Sequence, residues 1–212
     1  MARKPTENPY WHEFAKPLAF DCAAIEAMCT EAFEIALATK GLEALWNGDL
    51  QDFGEEPAWS HPLLVARHQE AAEERLSSML LAMAASYRAL DDQLKEEADF
   101  QSFKSKQQKE HGSFLVIYEG LGIPETLREC CNKIIHTEDF RPVYDNGSQP
   151  RDEGVWSMTS EIELEGKRGK VSWKVMFDLF SYLEAMLETV DHLVGQADIK
   201  SPTSLDKAEP ND

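Results

Sequence analysis

The chain has 212 residues, 42% of them hydrophobic, and its 21 Lys and Arg stand against 39 Asp and Glu, a formal net charge of −18. The apolar share is enough for a buried core, which excludes an acidic disordered tail. The charge excludes a passive, sequence-independent grip on nucleic acid, because that grip comes from Lys and Arg neutralising phosphates.

The opening stretch MARKPTENPYWHEF has basic residues but no apolar segment after them, so no secretory signal is expected. The longest uncharged apolar run, Leu76 to Tyr87, has twelve residues between Arg75 and Arg88. A membrane-spanning helix needs about 20. The expectation is a soluble, cytoplasmic protein that makes no use of a membrane. Of the four cysteines, Cys22, Cys29, Cys130 and Cys131, no two form a CxxC pair. Neighbours such as Cys130 and Cys131 bridge each other only under strain, so all four are expected as free, small hydrophobes.

Residues 1–16 read as an irregular arm with Pro5 and Pro9. From Leu18 the pattern turns helical. Ile25, Met28, Ala32, Ile35, Thr39, Leu42 and Trp46 share one face, and Gly41 is expected to kink or end the helix. Residues 47–62 form a loop, with Ser60 as N-cap of a long helix from Pro62 to Lys95. Its stripe is Leu76, Met79, Leu80, Met83, Tyr87, Leu90 and Leu94, and Ala82, Ala84, Ala85 and Ala89 would admit a close neighbour. Residues 91–112 are charged and weakly periodic, either more helix or a solvated connector.

A short third helix is predicted from His111 to Gly120, around Phe114, Leu115, Ile117 and Tyr118. Pro124 then opens a helix to His136, with Leu127, Cys131 and Ile134 toward the core. Arg128, Asn132 and His136 lie four apart on a neighbouring stripe. Residues 141–155 are rich in turn formers. After them the period becomes two, which predicts a β-hairpin over about 155–175 with Glu161, Glu163 and Glu165 facing Lys170 and Lys174. A last helix carries Met176, Leu179, Phe180, Leu183, Met186, Leu187, Val190 and Val194. The predicted organisation is an arm at 1–16, one domain at 17–195 and a disordered tail at 196–212. The fold class is mainly all-α, a helical bundle with a β-hairpin inserted before the last helix.

Metal and cofactor chemistry find no foothold. There is no HExxH, no Glu three residues before a His on a core-facing helix, and His61 and His68 are two turns apart. There is no Walker A loop, no Gly-rich dinucleotide fingerprint and no GxSxG. Gly166-Lys-Arg-Gly169 reads as a hairpin turn. Neither a metal nor a cofactor is expected. What remains is Asn132 and His136, spaced to meet on one helix face. His can move a proton near neutral pH, and Asn can orient an imidazole or hold a phosphate oxygen. The plainer alternative is a His closing a helix C-terminus, where its positive form suits the dipole.

The segment Asn132-Lys-Ile-Ile-His136, with a turn-rich loop and a final apolar helix after it, resembles the HEPN superfamily of all-α bundles. Many members carry Arg-Asn-x-x-x-His, act as metal-independent ribonucleases and dimerise so that two motifs face each other. The resemblance covers residues 60–195 in the order of elements. It implies His136 as acid or base, Asn132 as its orienter, and a homodimer. Cys131 stands where the active pattern has Arg. Arg128 lies two helical turns from His136, ~12 Å along the axis, and Lys133 is a second candidate cation without the guanidinium fork. Three functions follow as expectations. The first is a catalytically degenerate binding or regulatory module, linked to RNA metabolism or phage defence, with protein partners. The second is an active ribonuclease. The third is a structural or small-ligand bundle unrelated to HEPN. Local basic spots stand at Arg128–Lys133 and at Lys167–Lys174, and the negative surface would confine any productive RNA binding to a small basic cleft, with a narrow site beside His136 left open.

Overall fold

The structure is a computed structural model that describes residues 20–46, 62–112, 115–119, 126–145 and 156–200. In chain order the elements are α1 (Cys22–Trp46), α2 (Pro62–Gln93), α3 (Ala98–His111), β1 (Leu115–Glu119), α4 (Leu127–Ile135), β2 (Thr137–Asp145), β3 (Ser157–Arg168), β4 (Val171–Asp178) and α5 (Leu179–Lys200). The strands form one antiparallel sheet in the order β1-β4-β3-β2. The chain is mainly helical with a hairpin before the last helix, as the periodicity predicts. The hairpin, however, is the middle of a four-stranded sheet.

The helical stripes pack as read. Asp21 opens α1 by accepting the Ala24 N–H at 3.1 Å, a side-chain cap. Ile25, Ala32 and Thr39 of its stripe are buried. Gly41 does not end α1, which continues to Trp46; the loss of helix propensity at one Gly is only about 1 kcal/mol, and packed turns on both sides outweigh it. Thr39 ties α1 to the sheet, its hydroxyl donating to Ala36 O at 2.8 Å and accepting the Met158 N–H at 2.9 Å. On α2, Leu76, Met79, Leu80, Met83, Tyr87 and Leu90 are all buried. Of its four small residues only Ala84 is buried. The charged stretch after α2 is a helix of its own, α3, after a break at Leu94–Glu97. Ser60, His61 and the loop before Pro62 lie outside the described residues, as does Pro124.

Two predicted segments change type. The segment expected as a third helix is strand β1. Gly112 ends α3 with φ +68°, a left-handed conformation that glycine adopts freely, and its N–H closes on Gln108 O at 2.9 Å. The run Leu-Val-Ile-Tyr beyond it is short and β-branched, and such a run cannot be assigned by periodicity alone. The turn-rich stretch from 141 begins inside β2. Pro142 is tolerated there because β2 is the sheet edge, where a missing N–H breaks no interior ladder. At the other end, Met176 belongs to β4, and Asp178 caps α5 by accepting the Ser181 N–H at 2.7 Å. Helix α5 then runs to Lys200, beyond the start of the expected tail.

One face of the sheet meets the helices. Met158, Ile162, Leu164, Trp173, Val175 and Phe177 join the α1, α2, α4 and α5 side chains in a single core. The other face is polar. Lys174 bridges Glu163 at 2.7 Å and Glu165 at 3.1 Å, and Arg141 reaches the same two carboxylates. All four cysteines are free, and Cys29, Cys130 and Cys131 are buried. Burial pushes the Cys29 thiol up to about 12, far from a reactive thiolate. Among the described residues no helix is long and apolar enough to cross a membrane.

Candidate functional site

Helix α4 is strongly amphipathic because Leu127, Cys130, Cys131 and Ile134 recur at helical spacing and are all buried. Thr126 caps it by accepting the Glu129 N–H at 3.2 Å. His136 ends it, with its own N–H on Asn132 O at 3.1 Å and φ −105°. The chain then passes directly into β2, where Thr137 pairs with Gly166 of β3. The Thr137 hydroxyl also donates toward Glu165 O at 2.9 Å. This pairing sets the end of α4 beside the tip of the β3–β4 hairpin.

Gly166 makes the approach possible. A Cβ there would lie 2.3 Å from Trp173 Cζ2 and 2.8 Å from the His136 carbonyl oxygen. Only a residue without a side chain fits. The hairpin turns tightly through Gly169 at φ +65°, so the basic run Lys167-Arg168 projects next to α4.

The result is an open cleft of about 480 Å³. Glu129, Asn132, Lys133 and His136 line it from α4 and its end. Lys167, Arg168, Val171 and Trp173 line it from the hairpin. The Lys133 ammonium sits 4.1 Å from the centroid of the Trp173 ring, a cation–π contact. Burial holds the Lys133 ammonium below the ordinary lysine range; Glu129 pulls the other way, and the nearby Arg168 adds to the lowering. Lys167 pairs with Glu138 at 2.9 Å. Arg168 makes no ion pair among the described residues.

Three of the four site residues read from sequence therefore come together: Asn132, Lys133 and His136. Arg128 does not join them. One of its guanidinium nitrogens bonds Asp91 and the other donates to Asp92 at 2.7 Å. Asp91 is 3% exposed and also holds Lys104. Arg128 is thus part of an ion cluster that ties α2, α3 and α4 together. Asn132 does not orient His136 either, because its amide donates to Glu129 Oε1 at 3.2 Å. His136 is exposed. Other histidines are built into packing: His111 meets Glu188 at 3.0 Å, and His192 stacks on Phe103 with centroids 4.3 Å apart.

The sequence reading missed Lys167, Arg168, Trp173 and Glu129 as parts of this site. The basic run was visible, but its nearness to α4 depends on the β2–β3 pairing. Among the described residues no group of three or more His, Cys, Asp or Glu is placed to hold a metal ion. Chemically, the cleft offers three cations, one of them paired with Glu138, together with one histidine and one carboxylate. No protein-family model, no curated protein and no solved structure matches this chain.

Proposed function

We propose that the protein is a non-catalytic binding module that takes an anionic ligand in the cleft between the end of α4 and the β3–β4 turn. The observation that carries this reading is the convergence of Lys133, Lys167 and Arg168 beside His136, while Arg128 is bonded to Asp91 and Asp92 and Asn132 to Glu129 instead of His136. Cations gathered on a molecule of net charge −18 form a local exception that favours an anion. Metal-independent cleavage of RNA would instead need an oriented base and a cation aimed at the same phosphate. The kinship in this reading is HEPN-like, resting on Asn132 and His136 at the end of α4 and on the apolar α5. A homodimer and a role in RNA metabolism or phage defence belong to it through that resemblance alone.

The experiment is incubation of the full chain with total RNA, beside His136→Ala. Both proteins are expected to leave the RNA intact. Cleavage by the wild type that disappears in His136→Ala would overturn the non-catalytic reading and support a ribonuclease.

A further inference from the structure

The two walls of the cleft differ in chemistry. On the hairpin side Lys167 and Arg168 are exposed, and Arg168 carries no ion pair among the described residues. Between the walls, the Lys133 ammonium sits 4.1 Å from the centroid of the Trp173 ring and lines the cleft with Lys167 and Arg168. On the α4 side Glu129 and Asn132 line the cleft, and the Asn132 amide donates to Glu129 Oε1 at 3.2 Å. A carboxylate and an amide can accept hydrogen bonds from a ligand, and the charge of Glu129 repels a second anionic group.

A ligand that suits both walls has one compact, doubly charged end and a neutral end rich in donors. A phosphate monoester supplies the first, and the guanidinium fork of Arg168 matches its oxygens. Hydroxyl groups supply the second. A nucleobase would want an aromatic face, but Trp173 is 6% exposed and its ring is covered by Lys133. The volume of about 480 Å³ falls in the range of small-molecule sites and far exceeds an inorganic phosphate. We infer that the cleft binds a small sugar phosphate, its phosphate against Lys133, Lys167 and Arg168 and its hydroxyls toward Glu129 and Asn132. This rests on the binding-module reading and names the ligand class of that site.

The test is calorimetric titration of the full chain with ribose 5-phosphate. Ribose, inorganic phosphate, AMP and a 5′-phosphorylated oligoribonucleotide serve as separate arms. Ribose 5-phosphate is expected to bind, ribose to show no heat, and inorganic phosphate to compete weakly. AMP should bind no more tightly than ribose 5-phosphate. The double variant Lys167→Gln/Arg168→Gln should lose about tenfold or more in affinity, as expected for lost charge-assisted hydrogen bonds. Both side chains are exposed, so an unchanged melting temperature will show that the variant is folded. Glu129→Gln should weaken ribose 5-phosphate and leave inorganic phosphate unaffected or tighter. Three results would overturn the proposal: no binding of ribose 5-phosphate, equal binding by the double variant, or AMP or the oligonucleotide binding about tenfold more tightly. RNA cleavage lost in His136→Ala would overturn the non-catalytic reading whatever the sugar phosphate does. Absence of binding without cleavage would remove only the ligand assignment.

Discussion

Arg128 and Lys133 stand five residues apart on the same short helix, and their surroundings give them opposite tasks. Arg128 closes on Asp91 and Asp92, Lys104 joins it on Asp91, and Arg88 stands 3.7 Å from Asp92. Every charge in this cluster has an ion-pair partner within the molecule. Lys133 instead faces two more cations from the hairpin, with Glu129 and Glu138 as the carboxylates near them. A matched cluster holds elements together, whereas an unmatched one is available to a ligand. The difference shows why a basic residue near a motif is a poor guide to function until its partners are known.

The largest effect should come from breaking the matched cluster. Arg128→Ala leaves Asp91, 3% exposed, with Lys104 alone. A loss of about 3 kcal/mol is expected, because the buried Asp91 keeps only one of its two cations and the charge-assisted hydrogen bonds to both aspartates are lost. Urea unfolding should show it as a lower midpoint. Arg168→Gln, which breaks no pair, should stay within about 0.5 kcal/mol of the wild type. Equal losses in the two variants would erase the distinction between the regions.

A smaller effect is expected at the joint between them. Gly166→Ala places a methyl group 2.3 Å from the Trp173 ring. Overpacking of this kind costs about 2 kcal/mol. The same shift should move Trp173 away from Lys133, so a changed tryptophan emission would accompany the lower midpoint. An unchanged spectrum and midpoint would show that Gly166 does not hold the cleft together.

The smallest effect is one of pH. The hydrogen bond from Arg128 holds the Asp92 carboxyl below the usual aspartate range. A carboxylate with a depressed folded value contributes stability above its unfolded value of about 3.9, and loses it as pH falls through the folded one. The stability gap between wild type and Arg128→Ala should therefore narrow below about pH 4, the unfolded aspartate value. Asp92 is exposed, so the narrowing is slight. Urea midpoints at neutral pH and near pH 3 would check it, and a gap that widens in acid would contradict it.

How much of this was legible in the sequence depends on whether the cause is local. The stripes of α1, α2, α4 and α5 were readable because burial repeats at helical spacing, as with Leu127, Cys131 and Ile134. The β3–β4 hairpin was readable from its alternation. Strand β1 was not, since a five-residue apolar run fits helix or strand. Strand β2 was hidden because Pro142 suggests a loop until the strand is known to be an edge. In the cleft, Asn132, Lys133 and His136 could be named from one helix. Lys167 and Arg168 could be seen as basic but not as neighbours of His136. That needs Thr137 to pair with Gly166, a contact far apart in sequence. The role of Arg128 was equally hidden, because Asp91 lies on another helix.

The contrast between the two basic centres can be measured in one titration. With ¹⁵N-labelled protein, the Arg Nε–H signals report each guanidinium separately. Added ribose 5-phosphate should shift the Arg168 signal and the Trp173 indole signal progressively, and leave the Arg128 signal in place. A shift at Arg128 with Arg168 unmoved would contradict the account.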